Sequence, residues 1–136
     1  MQVLIHVEVR EEYPTNFKNP IIEWTKKQLP KVVTFDFDNL SENSVAGYAT
    51  DLLKQAKQAF VIIDVNIEKN LGLVTKFIDT ISRQQDKSIM LIVNGESPKL
   101  SKMGKTLGST KFIQNLHAKE QKDLLKEFFH ASGNDE

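Results

Sequence analysis

The sequence contains no cysteine, which excludes disulfides, thiolate catalysis and cysteine-based zinc or iron–sulfur sites. It also lacks long apolar runs. Segments such as IMLIV at 89–93 fall far short of the roughly twenty residues that a membrane helix needs. No basic stretch precedes a signal-like segment near the first residue. We therefore expect an unprocessed, soluble, cytoplasmic protein.

The chain has no excess of charge of either sign, because 18 basic residues balance 18 acidic ones. A neutral chain has no overall field that attracts nucleic acid or an anionic membrane, so neither is a predicted partner. Lys99, Lys102, Lys105 and Lys111 make one stretch locally basic. In a neutral chain, such a run is typical of a solvated helix face.

Glycine-rich phosphate-binding motifs are missing as well. No G-x-G-x-x-G follows the first apolar segment, where VREEYPTNFKNP at 9–20 offers bulky and charged residues instead. MGKT at 103–106 matches the end of a P-loop, but Lys99 stands where the first glycine of that motif belongs. These motifs therefore give no support for nucleotide binding.

Short apolar segments alternate with helical patterns along all 136 residues, which is the length of one domain. We predict a single domain over 1–131 and a frayed tail over 132–136. The predicted strands are QVLIHVEV (2–9), KVVTFDF (31–37), FVII (60–63), SIMLIV (88–93) and KFIQNL (111–116).

The segments between these strands carry helix signals. Asn19 and Pro20 begin the first helix, Asn43 or Ser44 caps the second, and a fourth spans 97–108, capped by serine and closed by glycine. The side chains predicted to face inward are Ile21, Trp24 and Leu29; Val45, Tyr48, Leu52 and Ala56; Leu71, Val74, Ile78 and Ile81; Leu100, Met103 and Leu107; and Leu124, Leu125, Phe128 and Phe129.

This alternation predicts a three-layer α/β/α sandwich with right-handed crossovers between parallel strands. The first, third and fourth strands are the most apolar ones and belong in the middle of the sheet, and FVII and SIMLIV are continuous apolar runs. The second strand alternates and the fifth is short, so both suit the edges. The predicted order is 2-1-3-4-5, a flavodoxin-like fold that binds ligands at the carboxyl ends of its strands.

Five polar residues fall at those carboxyl ends and form the candidate site. They are Glu8, Asp38, Asp64, Asn94 and Asn115. Acids and amides at strand ends also start turns and cap helices, so a structural role is open for each of them.

His6 shares a strand face with Glu8, a pair that could bind metal or titrate near neutral pH. His117 and His130 are too far along the chain to complete a ligand set. We interpret His6 as a hydrogen-bonded core histidine, and no metal site is predicted.

The segment FVIIDVNIEKNLGL (60–73) resembles the phosphoacceptor segment of response-regulator receiver domains. In receivers an aspartate ends the third strand and a glycine follows it, as Asp64 and Gly72 do here. The receiver-like spacing of residues also extends beyond this segment. Where receivers end the fourth strand with a hydroxyl residue and the fifth with lysine, this sequence has Asn94 and Asn115.

Those departures bear on phosphotransfer. A phosphoaspartate carries close to two negative charges, which receivers balance with magnesium, the lysine and the hydroxyl. Asn115 carries no charge, and a single Glu8 stands where receivers hold magnesium with an acidic pair. Glu68 also replaces the usual proline. The resemblance thus implies a degenerate, or pseudo-receiver, signalling domain that binds a protein partner or a second copy of itself. Magnesium is the one cofactor that this resemblance implies.

Two other functions stay open. The chain could be a small TIR-like or nucleotide-processing enzyme that uses Glu68 or Glu8 as its rim carboxylate. It could also be a plain structural or assembly module whose polar strand ends only form turns and caps. Flavodoxin-like domains share similar strand and helix lengths, so the receiver-like spacing between Asp64, Asn94 and Asn115 would arise in either case.

Overall fold

Strands and helices alternate throughout the computed structural model, which describes residues 1–12, 19–84, 86–108 and 110–133, with only the backbone for 131–133. The strands are β1 (Gln2–Val9), β2 (Val33–Asp38), β3 (Gln58–Val65), β4 (Ser88–Asn94) and β5 (Lys111–Gln114). The helices are α1 (Pro20–Gln28), α2 (Asn43–Gln55), α3 (Gly72–Ser82), α4 (Pro98–Lys105) and α5 (Ala118–Gly133).

The five strands form one parallel sheet in the order β2-β1-β3-β4-β5. This confirms the predicted flavodoxin-like fold, including the central position of the apolar strands and the edge position of β2 and β5. Because every strand runs the same way, the carboxyl ends of all five lie at one edge of the sheet. The candidate site is predicted at that edge.

Alternate side chains of each strand point to opposite faces, so the sheet separates two apolar cores. Odd-numbered residues such as Ile5 and Val61 pack with buried residues of α2, α3 and α4. Even-numbered residues such as Leu4 and Ile62 pack against α1 and α5. Both faces of β1, β3 and β4 are therefore covered, which explains why these three strands are the most apolar of the sheet.

Helix α1 begins as predicted. The side chain of Asn19 accepts a hydrogen bond from the backbone N–H of Ile22, and Pro20 occupies the first helical position. Helix α4 begins in the same way, since the Ser97 hydroxyl accepts from the N–H of Leu100 at 3.3 Å. Both N-caps confirm the sequence predictions.

Two helix boundaries differ from the prediction. The N-cap of α2 is Glu42, without a side-chain cap bond, because a turn held by Asp38 brings the chain into helix before Ser44. Helix α4 ends at Lys105, not at Gly108. The Thr106 hydroxyl donates to the carbonyl of Met103 at 2.7 Å and closes the last turn early.

The inward face of α2 was also predicted wrongly in part. Tyr48 is 55% exposed, whereas the neighbouring Ala49 is fully buried. The row that contains Tyr48 lies toward the edge strand β2, where its ring packs on Phe35, with centroids 5.0 Å apart. An edge strand offers too little surface to bury such a side chain on all sides.

Helix α5 continues to Gly133, and residues 134–136 of the predicted tail lie outside the described residues. Across the ranges described above, no helix has both the length and the apolarity needed to cross a membrane.

Candidate functional site

Four of the five predicted site residues lie side by side across the sheet. Glu8 of β1 is in register with Asp38 on one side and Asp64 on the other, and Asp64 is in register with Asn94. Asn115 directly follows β5. We call this row of five residues the carboxyl rim. The sequence prediction that these side chains gather at one edge is consistent with this register.

Both carboxylate oxygens of Asp64 are engaged by neighbouring side chains. Oδ2 lies 2.6 Å from Nε2 of His6, and Oδ1 accepts from the Asn94 amide at 2.9 Å. Burial would raise the pKa of Asp64. The hydrogen bonds from His6 and Asn94, with the charge that the imidazole can carry, outweigh it and hold the pKa below its ordinary value of 3.8. Asp64 is therefore ionised at neutral pH.

His6 is almost fully buried, with 4% of its surface exposed, and both ring nitrogens are engaged. Its Nδ1 lies 2.9 Å from the amide nitrogen of Asn19, the N-cap of α1. The interpretation of His6 as a hydrogen-bonded core histidine agrees with this environment. No pattern in the sequence indicated that Asp64 and Asn19 are its partners, because 58 and 13 residues separate them from His6.

The two asparagines at the receiver-like positions use their side chains to bind backbone groups. Asn94 accepts from the N–H of Leu116 at 2.7 Å while its amide donates to Asp64. Asn115 accepts from the N–H of Gly95 at 3.0 Å and has a positive φ of 57°. Asn tolerates this left-handed conformation better than most residues. Asn115 therefore fixes the loop after β4 and supplies no charge.

Gly95 was not singled out in the sequence, yet the site depends on it. Its φ is +93°, and a Cβ at this position would lie 2.1 Å from the carbonyl oxygen of Val65. Only glycine permits this approach of the two loops. The signal available in the sequence was a glycine directly after the last residue of a central strand.

Arg10 is a further residue that the sequence reasoning missed. Its guanidinium lies 3.4 Å from a Glu8 oxygen and 3.4 Å from an Asp38 oxygen, so it bridges the ends of β1 and β2. Its Nε is buried and has no hydrogen-bond partner among the residues that the structure describes. The one available signal was an arginine immediately after the first strand.

This arrangement does not fit the magnesium ion that a receiver resemblance implies. The Glu8 carboxylate faces a guanidinium, and both oxygens of Asp64 already accept hydrogen bonds. A magnesium ion, which demands near-octahedral geometry, would have to compete with these contacts for the carboxylate oxygens. Within the described part of the chain, no group of three or more histidine, aspartate or glutamate side chains is placed to hold a metal.

Asn39 is a buried side chain that ties the loops of the rim together. Its oxygen accepts from the N–H of Arg10 at 2.9 Å, and its amide donates to the carbonyls of Arg10 and Lys69, both at 2.8 Å. These three bonds join the loops that follow β1, β2 and β3. Next to it, Asp38 accepts from the N–H of Leu40 at 2.8 Å, which is the turn-forming role considered for that acid.

Two cavities adjoin the rim. One of 280 Å³ is lined by Glu8, Asp64, Asn94 and the following loops. The other, of 340 Å³, lies between the starts of α1 and α5, and His6, Glu8, Asp64 and Lys122 are among its lining residues. Glu68, the alternative catalytic acid, is exposed on the loop after β3 and lines neither cavity.

The basic stretch lies away from both cavities. Lys99, Lys102, Lys105 and Lys111 are all exposed, in agreement with the predicted solvated face.

A scan against protein-family models found no match for this chain, and a search of curated proteins found none either.

Proposed function

We propose that this chain is a receiver-shaped signalling or protein-interaction domain that does not use Asp64 as a phosphoacceptor. The single observation that carries the proposal is the engagement of both Asp64 oxygens, by His6 at 2.6 Å and by Asn94 at 2.9 Å. A nucleophilic carboxylate attacks with an oxygen that its neighbours leave accessible, and cations balance the charge of the phosphoryl product. Asp64 has neither an uncommitted oxygen nor a lysine at the position of Asn115.

An exposed aromatic patch supports the protein-interaction half of the proposal. Tyr48 is 55% exposed and packs at a tilt on Phe35, while Val33, two residues earlier on the same strand face, is 38% exposed. We call these three residues the β2–α2 patch. Tyrosine is enriched at protein interfaces because its ring supplies large contact area and its hydroxyl a hydrogen bond.

The phosphoacceptor half is tested by incubating the protein with acetyl phosphate and magnesium and measuring its intact mass. We expect no phosphoryl adduct. A matched double variant, Asn94→Thr with Asn115→Lys, restores the hydroxyl and the lysine and frees one Asp64 oxygen. An adduct in the variant alone supports the proposal. An adduct on Asp64 of the wild type contradicts it.

The interaction half is tested with Tyr48→Ser and a control, Asp51→Ser, which changes an exposed residue on the same helix. Sedimentation over a range of concentrations detects pairing of two copies, and crosslinking with quantitative mass spectrometry detects another protein. We expect Tyr48→Ser to weaken association at least tenfold and the control to leave it unchanged. Association that is equal in all three proteins, or a strict monomer without any Tyr48-dependent partner, contradicts this half.

A further inference from the structure

The hydrogen bonds around His6 form a chain from the carboxyl rim to the start of α1. Asn94 donates to Asp64, Asp64 contacts His6, His6 contacts Asn19, and Asn19 accepts from the N–H of Ile22. The pseudo-receiver proposal uses only the Asp64 end of this chain. The contacts at the Asn19 end are independent of that proposal.

The amide orientation of Asn19 selects the tautomer of the neutral ring. Its oxygen accepts from the N–H of Ile22 at 3.4 Å, so its NH₂ group faces Nδ1 of His6 at 2.9 Å. An NH₂ group can only donate, and Nδ1 must therefore be the acceptor. The proton of the neutral ring then lies on Nε2 and is donated to Asp64.

A second proton on the ring is incompatible with this arrangement. The second proton would bind Nδ1. The ring N–H formed there would then face the Asn19 NH₂ group, and both groups are hydrogen-bond donors. The conflict is relieved when the Asn19 amide rotates and offers its oxygen to the ring. The same oxygen is the N-cap of α1, so the Ile22 N–H loses its partner. The contact between His6 and Asp64 meanwhile becomes a full ion pair.

Among the described residues, the charged groups on the side of the sheet that holds the ring come from four elements. Asp64 of β3 contacts the ring directly, Glu8 lies on β1, Asp36 of β2 is in register with His6, and Lys122 of α5 lines the same 340 Å³ cavity. Helix α1 contributes Asn19, which is neutral, and Gln121 of α5 is neutral too.

We propose that His6 is a proton-controlled switch that couples the carboxyl rim to the N-terminus of α1. The neutral ring holds Asn19 in its capping position. The protonated ring binds Asp64 more strongly and withdraws the Asn19 oxygen from the helix. Since α1 forms one wall of the 340 Å³ cavity, protonation also changes the polar groups presented there.

Two NMR measurements between about pH 5 and 8, the range in which histidine titrates, test this switch. Ring ¹⁵N shifts should report the Nε2-protonated neutral tautomer of His6 at the upper end. Amide hydrogen exchange, corrected for its intrinsic pH dependence, should show the protection of Ile22 falling about fivefold, the size expected for loss of an N-cap bond. The fall should follow the titration midpoint of His6. The exposed His117 and His130 give internal midpoints that Ile22 should not follow.

The matched variant is Asn19→Asp, because a carboxylate caps Ile22 with one oxygen and accepts from the protonated ring with the other. We expect this variant to keep Ile22 protected while His6 titrates. Asn19→Ala should show weak protection at every pH. Three results contradict the switch: constant protection of Ile22 while the wild-type ring titrates, equal pH dependence in Asn19→Asp, or a ring that stays neutral until the protein unfolds.

Discussion

The two ends of the central strand pair β1 and β3 use polar side chains in opposite ways. At the amino end Gln2 and Gln58 are in register, and their amides donate to the carbonyls of Phe129 and Phe128 in α5. At the carboxyl end Glu8 and Asp64 are in register. Their partners are the Arg10 guanidinium and the His6 imidazole, which are charged or ionisable.

Helix direction explains this difference. Helices between parallel strands bring their N-termini to the carboxyl edge and their C-termini to the amino edge. N-termini leave N–H groups that need acceptors, and C-termini leave carbonyls that need donors. Asn19 and Ser97 supply oxygens at one edge, whereas Gln2, Gln58 and Lys87 supply N–H groups at the other. The Gln2 and Gln58 amides at the amino edge are thus an uncharged clamp, whereas the clamp at the carboxyl edge is built from ionisable side chains.

The largest effect should come from Gly95→Ala at the carboxyl edge. A Cβ would lie 2.1 Å from the Val65 oxygen at a φ of +93°, so the loops after β3 and β4 must separate. We expect a loss of about 3 kcal/mol in the free energy of unfolding, the scale of combined backbone strain and clash. Urea denaturation measures it. The control is Gly72→Ala, where a Cβ meets nothing within 4 Å. Equal stability of both variants would show that the loops do not need this approach.

Breaking the amino edge should cost less and should not depend on pH. Gln58→Leu keeps the volume of a buried side chain but leaves the Phe128 carbonyl and the Gln2 amide each without one partner. We expect a loss of about 2 kcal/mol, the range for unsatisfied buried polar groups, and the same loss between about pH 5 and 8. Gln55→Leu, on the exposed end of α2, is the control. A loss that varies over this range would remove the contrast between the two edges.

Asp64→Asn should lower stability by about 1 kcal/mol near neutral pH, because one of its two accepted hydrogen bonds is lost. The pKa of Asp64 is lower in the folded protein than its ordinary value of 3.8. The wild type therefore gains stability from ionisation above that value and loses it as the pH falls through the folded pKa. Acid denaturation curves should show this loss in the wild type and not in the variant. Parallel curves below pH 3.8 would contradict it.

The smallest effect should come from Asn115→Gly. Glycine adopts the φ of 57° freely, so only an exposed hydrogen bond to the Gly95 N–H is lost, and stability should change by no more than about 0.5 kcal/mol. Asn115→Val should cost about 1–2 kcal/mol more, since a β-branched residue is strained there. Thermal denaturation of the two variants compares them. If Asn115→Gly and Asn115→Val lower stability equally, the positive φ of residue 115 does not restrict which residue is tolerated there.

The fold and the membership of the rim could be predicted from the sequence because both depend on short-range patterns. Strand polarity indicated the order of the sheet, and residues at strand ends must meet at one edge. The pairings could not be predicted in this way. Asn39 and Arg10 act through contacts between loops distant in sequence, and the partner of His6 is set by the register of β1 against β3.

Tyr48 shows a limit of predicting burial from helical spacing. Its helical spacing suits a core position, but burial depends on what lies beneath the helix, and at the β2 edge the Tyr48 ring packs on Phe35 and still stays 55% exposed. Periodicity describes a helix face without stating how much of the sheet lies under it.

The proposal that both oxygens of Asp64 are committed to structural contacts can be tested by titration with magnesium and beryllium fluoride, which mimics a phosphoryl group on aspartate. Backbone amide shifts of Asp64, Asn94 and Gly95 report binding. We predict that these shifts stay constant in the wild type, and movement in the Asn94→Thr, Asn115→Lys variant alone would assign that result to the two asparagines. Saturable shifts at Asp64 in the wild type would contradict the account.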